Sequence, residues 1–148
     1  MFQPIVDGYA YGCLRVHHKL EVLSMLKKLS AIFAFAFCGS LLRLGLTSMT
    51  NHHLTTILLI NVVGSFLLAF ISKTLPTLIP LSEAVMAGLT VGLVGSFTTF
   101  STFSMDVVAL LQQGALGLAL IYWLASLLLG CGAAVLGFRI SARVTERA

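Results

Sequence analysis

Four long apolar stretches, almost free of charge, constrain this chain more than any other feature. The first runs from Leu29 to about Met49 and carries one charge, Arg43. The second, Leu54 to Ser72, is uncharged and holds one strong polar residue, Asn61. The third, Ala84 to Met105, is uncharged and rich in Gly, Ser and Thr. The fourth, Ala115 to Phe138, is uncharged. A helix needs about 20 residues to cross a hydrocarbon layer of about 30 Å, and all four are long enough. None alternates in the way a membrane β-barrel strand does. The chain is 148 residues long, 58% hydrophobic and only 9% charged. Soluble domains carry about 25% charged residues, so this chain cannot cover a water-facing surface. The sequence predicts an all-α integral membrane protein of four spans.

The organisation follows from the connections. Asn51-His52-His53, then Lys73-Thr74-Leu75-Pro76 with Pro80 and Glu83, then Gln112-Gln113-Gly114 separate the spans. Such short links make neighbouring helices antiparallel. Residues 1–24 mix Asp7, Arg15, His17, His18, Lys19 and Glu21 without a period. They read as a disordered extension or as sequence upstream of the true start, because Met25-Leu26-Lys27-Lys28 is a typical opening for a membrane chain. Residues 25–148 form the four-span domain. A cleaved signal sequence is disfavoured, since three more spans follow.

The nine Lys and Arg outnumber the five Asp and Glu, giving a net charge of +4. With four spans, both termini and the middle loop share one side. That side holds Lys27, Lys28, Lys73, Arg139, Arg143 and Arg147, and Arg15 and Lys19 where the extension is present. The opposite loops hold no Lys or Arg. The positive-inside rule then places both termini in the cytoplasm, and the excess of basic residues is a topology signal rather than a nucleic-acid footprint. Arg43 snorkels outward near the far end of the first span. Cys13, Cys38 and Cys131 are odd in number and widely spaced, which argues against a disulfide framework or a zinc site. No GxSxG, HExxH or P-loop occurs and no carboxylate lies within the four stretches, so the chain reads as neither an enzyme nor a proton-coupled drug exporter, which needs a buried carboxylate.

Polar residues inside apolar spans need partners. Asn61 reads either as an interhelical tie or as a pore-lining donor whose NH2 offers two hydrogens. The densest signal is the third span, Gly92-Leu93-Val94-Gly95-Ser96-Phe97-Thr98-Thr99-Phe100-Ser101-Thr102-Phe103-Ser104. Ser and Thr compete with the backbone for hydrogen bonds. The segment is therefore either a helix break lining a polar cavity or a continuous helix with its hydroxyls bonded back to the preceding turn. Phe97, Phe100 and Phe103 share a helix face, for packing or for presenting weakly positive ring edges to an anion. Gly88 and Gly92 permit close helix approach. Tyr122 and Ser126 lie one turn apart, on a packing face or a groove. Asp106 reads as a solvated carboxylate at the interface, and His52-His53 as a loop pair without further ligands.

With these residues in view, the sequence from about Met25 to about Arg143 resembles the Fluc (CrcB) family of fluoride channels. The resemblance rests on Gly39-Ser40-Leu41-Leu42-Arg43, Asn61-Val62-Val63-Gly64-Ser65-Phe66 and the Gly95–Ser104 string. It implies an antiparallel dimer with two narrow pores and a third helix broken near mid-membrane. It implies fluoride-pore roles for Asn61, Thr99, Phe100, Phe103, Tyr122 and Ser126, and a vestibule role for Arg43. It also implies a structural sodium ion at the dimer interface, held by the Gly95 and Thr98 carbonyls. Phe97 stays a packing residue. Family members let fluoride leave the cell passively. Fluoride enters acidified cells as neutral HF and ionises inside, so an anion leak in the cell membrane protects them. Three positions depart from the family pattern: Ile57 and Gly130 stand where relatives often carry hydroxyls, and Asp106 where a glutamate is usual. A dual-topology homodimer needs balanced flanking charge. The one-sided basic residues here point instead to a heterodimer with an oppositely inserted homologue, with the homodimer as the other option. A non-transporting membrane assembly subunit is the competing reading; the third-span string argues against it.

Overall fold

The computed structural model describes the backbone of residues 3–147 and the side chains of residues 21–147. Cys13, Arg15 and Lys19, which entered the sequence reading, lie outside the described side chains. The chain is all-helical among the described residues: α1 (Gln3–Ser48), α2 (His53–Leu78), α3 (Glu83–Ala87), a π-helical stretch (Gly88–Val94), α4 (Gly95–Phe97), α5 (Phe100–Gln112) and α6 (Leu116–Thr145). Four segments are long and apolar enough to cross a membrane: Glu21–Ser48, His53–Leu78, Glu83–Gln112 and Leu116–Thr145. These are the four spans the sequence predicts, each extended beyond its apolar run.

The extensions have local causes. Lys73–Pro76, expected as a loop, is the last part of α2. There the Thr74 hydroxyl donates to Ser141 Oγ at 2.7 Å, and the Thr77 hydroxyl returns to the Thr74 carbonyl at 2.8 Å. Pro76 lacks an N–H and weakens the helix only close to its end. At the other end of the sequence reading, the backbone is helical from Gln3 onward, where residues 1–24 gave no periodic signal. The α5–α6 link closes tightly: Ala115 N–H bonds Leu110 C=O and Gly114 N–H bonds Leu111 C=O, each at 3.0 Å. This is a Schellman turn, and it requires the left-handed φ of +74° at Gly114.

α2 packs along α6, and α1 packs along the first half of the third span. Gly88 and Gly92 face Phe35 and Ile32 of α1, the close approach that small residues permit. The fully covered interior is small: Ile57, Ile60, Ala69, Val94, Leu110, Ala119 and Tyr122 form its apolar part. Large apolar side chains such as Phe33, Leu116 and Leu128 point outward. For a helix in lipid this is the expected distribution, because its backbone bonds are internal and its outer face meets hydrocarbon.

Two contacts fix which helix ends share a side. Lys28 pairs with Glu83, joining the start of the first span to the start of the third. Thr74 bonds Ser141, joining the end of the second to the end of the fourth. Lys27, Lys28, Lys73, Arg139 and Arg143 therefore gather at one end of the bundle. His53, Asp106 and Gly114 lie at the other.

Candidate functional site

The third span changes its hydrogen bonding where the Gly-Ser-Thr string predicts trouble. Gly88–Val94 is wound as a π-helix, a rare form associated with functional sites. After α4, Thr98 (φ −75°, ψ 159°) and Thr99 (φ −147°, ψ 115°) are both extended, and α5 restarts at Phe100. The helix axes before and after differ by only 19°. The interruption thus opens the backbone bonding locally without turning the span aside.

Asn61 on α2 fills the interruption. Thr99 N–H donates to Asn61 Oδ1 at 2.9 Å, and Asn61 Nδ2 donates to the Thr99 carbonyl at 3.1 Å. In a continuous α-helix Thr99 N–H would go to the carbonyl four residues back, at Gly95. Here the amide side chain takes it. The Gly95 carbonyl keeps only a 3.4 Å contact from the Thr98 hydroxyl. The Thr98 carbonyl receives no donor among the described residues. The helical N–H donor to the Gly95 carbonyl is thereby given over to Asn61.

The Thr99 side chain is occupied. Its hydroxyl accepts from Thr102 N–H at 3.2 Å and donates to Thr102 Oγ1 at 2.9 Å, capping α5. Thr99 is 5% exposed, so its one hydroxyl proton is committed to the cap. Gly64 on α2 faces Thr98; a Cβ there would collide with Thr98 Cγ2. Ser65 donates to the Asn61 carbonyl at 2.8 Å.

Beside the interruption lies an open groove of about 590 Å³ between α2, the third span and α6. Asn61, Gly95, Thr98, Thr99, Phe100, Phe103 and Ser126 line it, with Trp123 and Leu127. Of the residues the sequence singles out, seven come together here. Asn61 has spent one amide hydrogen on Thr99 and keeps the other. Ser126 has no hydrogen-bond partner among the described residues, so its hydroxyl is available. Phe100 is 81% exposed and projects from this chain. From it an aromatic row continues inward: Phe100 to Phe103 with ring centroids 6.1 Å apart, then Phe103 to Tyr122 at 5.3 Å. Tyr122 sits at the end of that row, buried, rather than on the groove wall. Arg43, on α1, lies outside this groove. Ile57 is a core residue at 1% exposure. At Gly130 a Cβ would stand 3.7 Å from Ser65 Oγ, so the Ser65 hydroxyl lies close to this position.

Asp106 corrects the sequence reading. Expected as a solvated carboxylate, it is 13% exposed at its side chain and has two partners. The Tyr122 hydroxyl donates to Asp106 Oδ2 at 3.3 Å. His53 Nε2 stands 3.3 Å from Asp106 Oδ1. The sequence offered one signal for this: Asp106 falls three residues after Phe103, on the same helix face. The partner from α2 is 53 positions away and carries no such signal.

Chemically, the groove lining combines N–H and O–H donors and aromatic rings with backbone of residues 95 and 98. Donors and ring edges suit a small anion shedding water. Unwound carbonyls suit a small hard cation. No group of three or more His, Cys, Asp or Glu that could hold a metal occurs among the described residues.

Comparison with known proteins gives the chain a family. The family described as CrcB-like protein, Camphor Resistance (CrcB), matches residues 30–138. The chain is 45% identical over 114 residues to "Fluoride-specific ion channel FluC 2" of Lactiplantibacillus plantarum, covering 76% of this chain and 90% of that protein. It is 41% identical over 107 residues to "Fluoride-specific ion channel FluC" of Thermus thermophilus, covering 69% and 85%. It is 36% identical over 122 residues to "Fluoride-specific ion channel FluC 1" of Lactobacillus johnsonii, covering 82% and 93%.

Proposed function

This chain belongs to the CrcB family, and from that premise we propose that it is a fluoride channel, a multi-pass membrane protein that lets fluoride cross passively. It is not an enzyme. The observation that carries the reading furthest is the groove itself. Asn61 with its free hydrogen, Ser126 with a hydroxyl unpartnered among the described residues, and the Phe100 and Phe103 rings share its lining, and the aromatic row continues from Phe103 to Tyr122.

Fluoride is small and strongly hydrated, so a narrow path must replace its water with donors. Asn61 and Ser126 supply N–H and O–H hydrogens. Phe103 and Phe100 supply ring edges, where the quadrupole is positive. Thr99 acts through its backbone and its cap, holding the interruption in shape. Arg43 serves outside the groove, toward the vestibule.

The conducting unit is an antiparallel dimer. Two features support it. One wall of the groove is open in the single chain, with Phe100 projecting from it. The Gly95 and Thr98 carbonyls give half a coordination shell. A second copy or a homologue would supply the remaining oxygens to hold sodium there. Sodium there would join the two interruptions without any charged side chain. The basic end of the bundle faces the cytoplasm, placing both termini on the cytoplasmic side of the cell membrane. Because the basic residues are one-sided, the partner is a homologue inserted the other way round.

Growth tests the reading. A bacterial strain lacking its own fluoride exporter, made to express this chain, should grow on fluoride, with a partner homologue where one is required. Phe103→Ile should abolish the rescue while the protein still reaches the membrane. Equal rescue by Phe103→Ile would favour a non-transporting subunit.

A further inference from the structure

The three-residue chain His53–Asp106–Tyr122 lies where the aromatic row ends. Among the described residues, Asp106 is the carboxylate that touches that row, through Tyr122 at 3.3 Å. It is mostly covered, with a side chain 13% exposed, whereas His53 is 55% exposed to the surroundings at the far end of the bundle. No Lys or Arg pairs with Asp106 among the described residues. The groups that reach it are His53 from α2 and Tyr122 from α6. His52 at the α2 N-terminus and Arg43 on α1 are the other titratable groups toward this end, and neither contacts it.

A lone carboxylate beside the path of an anion repels it. An imidazolium beside that carboxylate cancels its charge, while a neutral imidazole leaves it in place. We infer that His53 is a further pore-mouth residue, whose protonation neutralises Asp106 and admits fluoride to the Phe103–Tyr122 end of the path. The inference rests on the channel reading given above and adds to it a positioning residue and a direction of pH dependence. Histidine is the side chain that ordinarily changes charge between about pH 5 and pH 8. The sign follows: current rises as pH falls. Coulomb's law puts the effect of one unit charge on an anion about 8 Å away at roughly two- to thirty-fold in local concentration, for effective dielectric constants of about 80 down to about 20. A fluoride leak that widens in acid matches the condition under which HF loads the cell.

The test is fluoride current in planar bilayers, with equal fluoride and equal pH on both sides, at about pH 8 and about pH 5.5, the range over which histidine titrates. HF carries no current, so only the anion is read. Wild type should conduct at least about twofold more at the lower pH. His53→Gln should conduct equally at both. Asp106→Asn, a second variant that removes the carboxylate charge itself, should conduct at least about twofold more than wild type at about pH 8. His52→Gln should respond as wild type does. Wild-type current that ignores pH, or a pH response that survives His53→Gln, overturns the inference and leaves the channel intact. Absence of fluoride current from every variant at both pH values, with the chain reconstituted alone and with a homologue of opposite orientation, overturns the channel reading and this inference with it.

Discussion

Asn61 and the peptide of Thr99 hold each other at two points, Thr99 N–H to Asn61 Oδ1 at 2.9 Å and Asn61 Nδ2 to the Thr99 carbonyl at 3.1 Å. One side chain thus replaces the backbone bonding that the third span gives up at residues 98 and 99. The same exchange strips the Gly95 carbonyl of its helical donor. The interruption, the lost helical donor and the placement of Asn61 in the groove are one event rather than three.

Asn61→Ala should therefore weaken the fold as well as the flux. It leaves the Thr99 N–H and carbonyl without partners. A buried polar group left unsatisfied costs about 1–3 kcal/mol. Thermal unfolding in detergent, followed by size-exclusion chromatography, should show a clear fall in midpoint, and fluoride flux should be lost. An unchanged midpoint would mean that the two-point contact does not support the interruption.

Gly64 and Thr98 should behave as a coupled pair. A Cβ at Gly64 meets Thr98 Cγ2, and overpacking of this kind costs about 1–3 kcal/mol. Gly64→Ala alone should be destabilised. Thr98→Ser removes the opposing methyl, so the double variant should recover most of the loss. Simple additivity of the two substitutions would show that the collision is relieved elsewhere.

Ser126→Ala should separate pore chemistry from packing. The Ser126 hydroxyl holds no partner among the described residues, so its removal should leave the unfolding midpoint in place. A hydrogen bond to a charged group is worth about 1.5–3 kcal/mol, so fluoride current should fall by about tenfold or more. Undiminished current would remove Ser126 from the path.

Sodium should stabilise the assembly. If the Gly95 and Thr98 carbonyls bind it across two chains, exchanging sodium for a large organic cation during purification should lower the midpoint and shift the protein toward monomer on size exclusion. Identical profiles in both salts would leave those oxygens without a cation.

Much of this was legible from the residue pattern, and the limits are physical. The four spans follow from apolar length alone. The extended backbone at Thr98 and Thr99 falls where Gly, Ser and Thr crowd the sequence, but the span bends by only 19°, so the mid-membrane helix break that the resemblance implies is not shown. Asn61 was legible as a polar residue that needs a partner, but the partner is 38 positions away, and only packing brings it there. The tie between two helices is seen in the bonds of Asn61 to Thr99, and the same side chain lines the groove. Thr99 shows the reverse. Its hydroxyl looked free in the sequence, and the α5 cap consumes it. The helical run through Lys73–Leu78 was hidden because Pro76 signals a break, while the stabilising bond comes from Ser141 on another helix. The pairing of His53 with Asp106 was hidden for the same reason.

The most direct measurement is fluoride efflux from liposomes carrying the purified chain, alone and then paired with a homologue of opposite orientation, read with a fluoride electrode beside a chloride electrode. The account predicts rapid fluoride efflux without chloride efflux in at least one of the two preparations. Fluoride retained in both, with the protein folded and inserted, would contradict it.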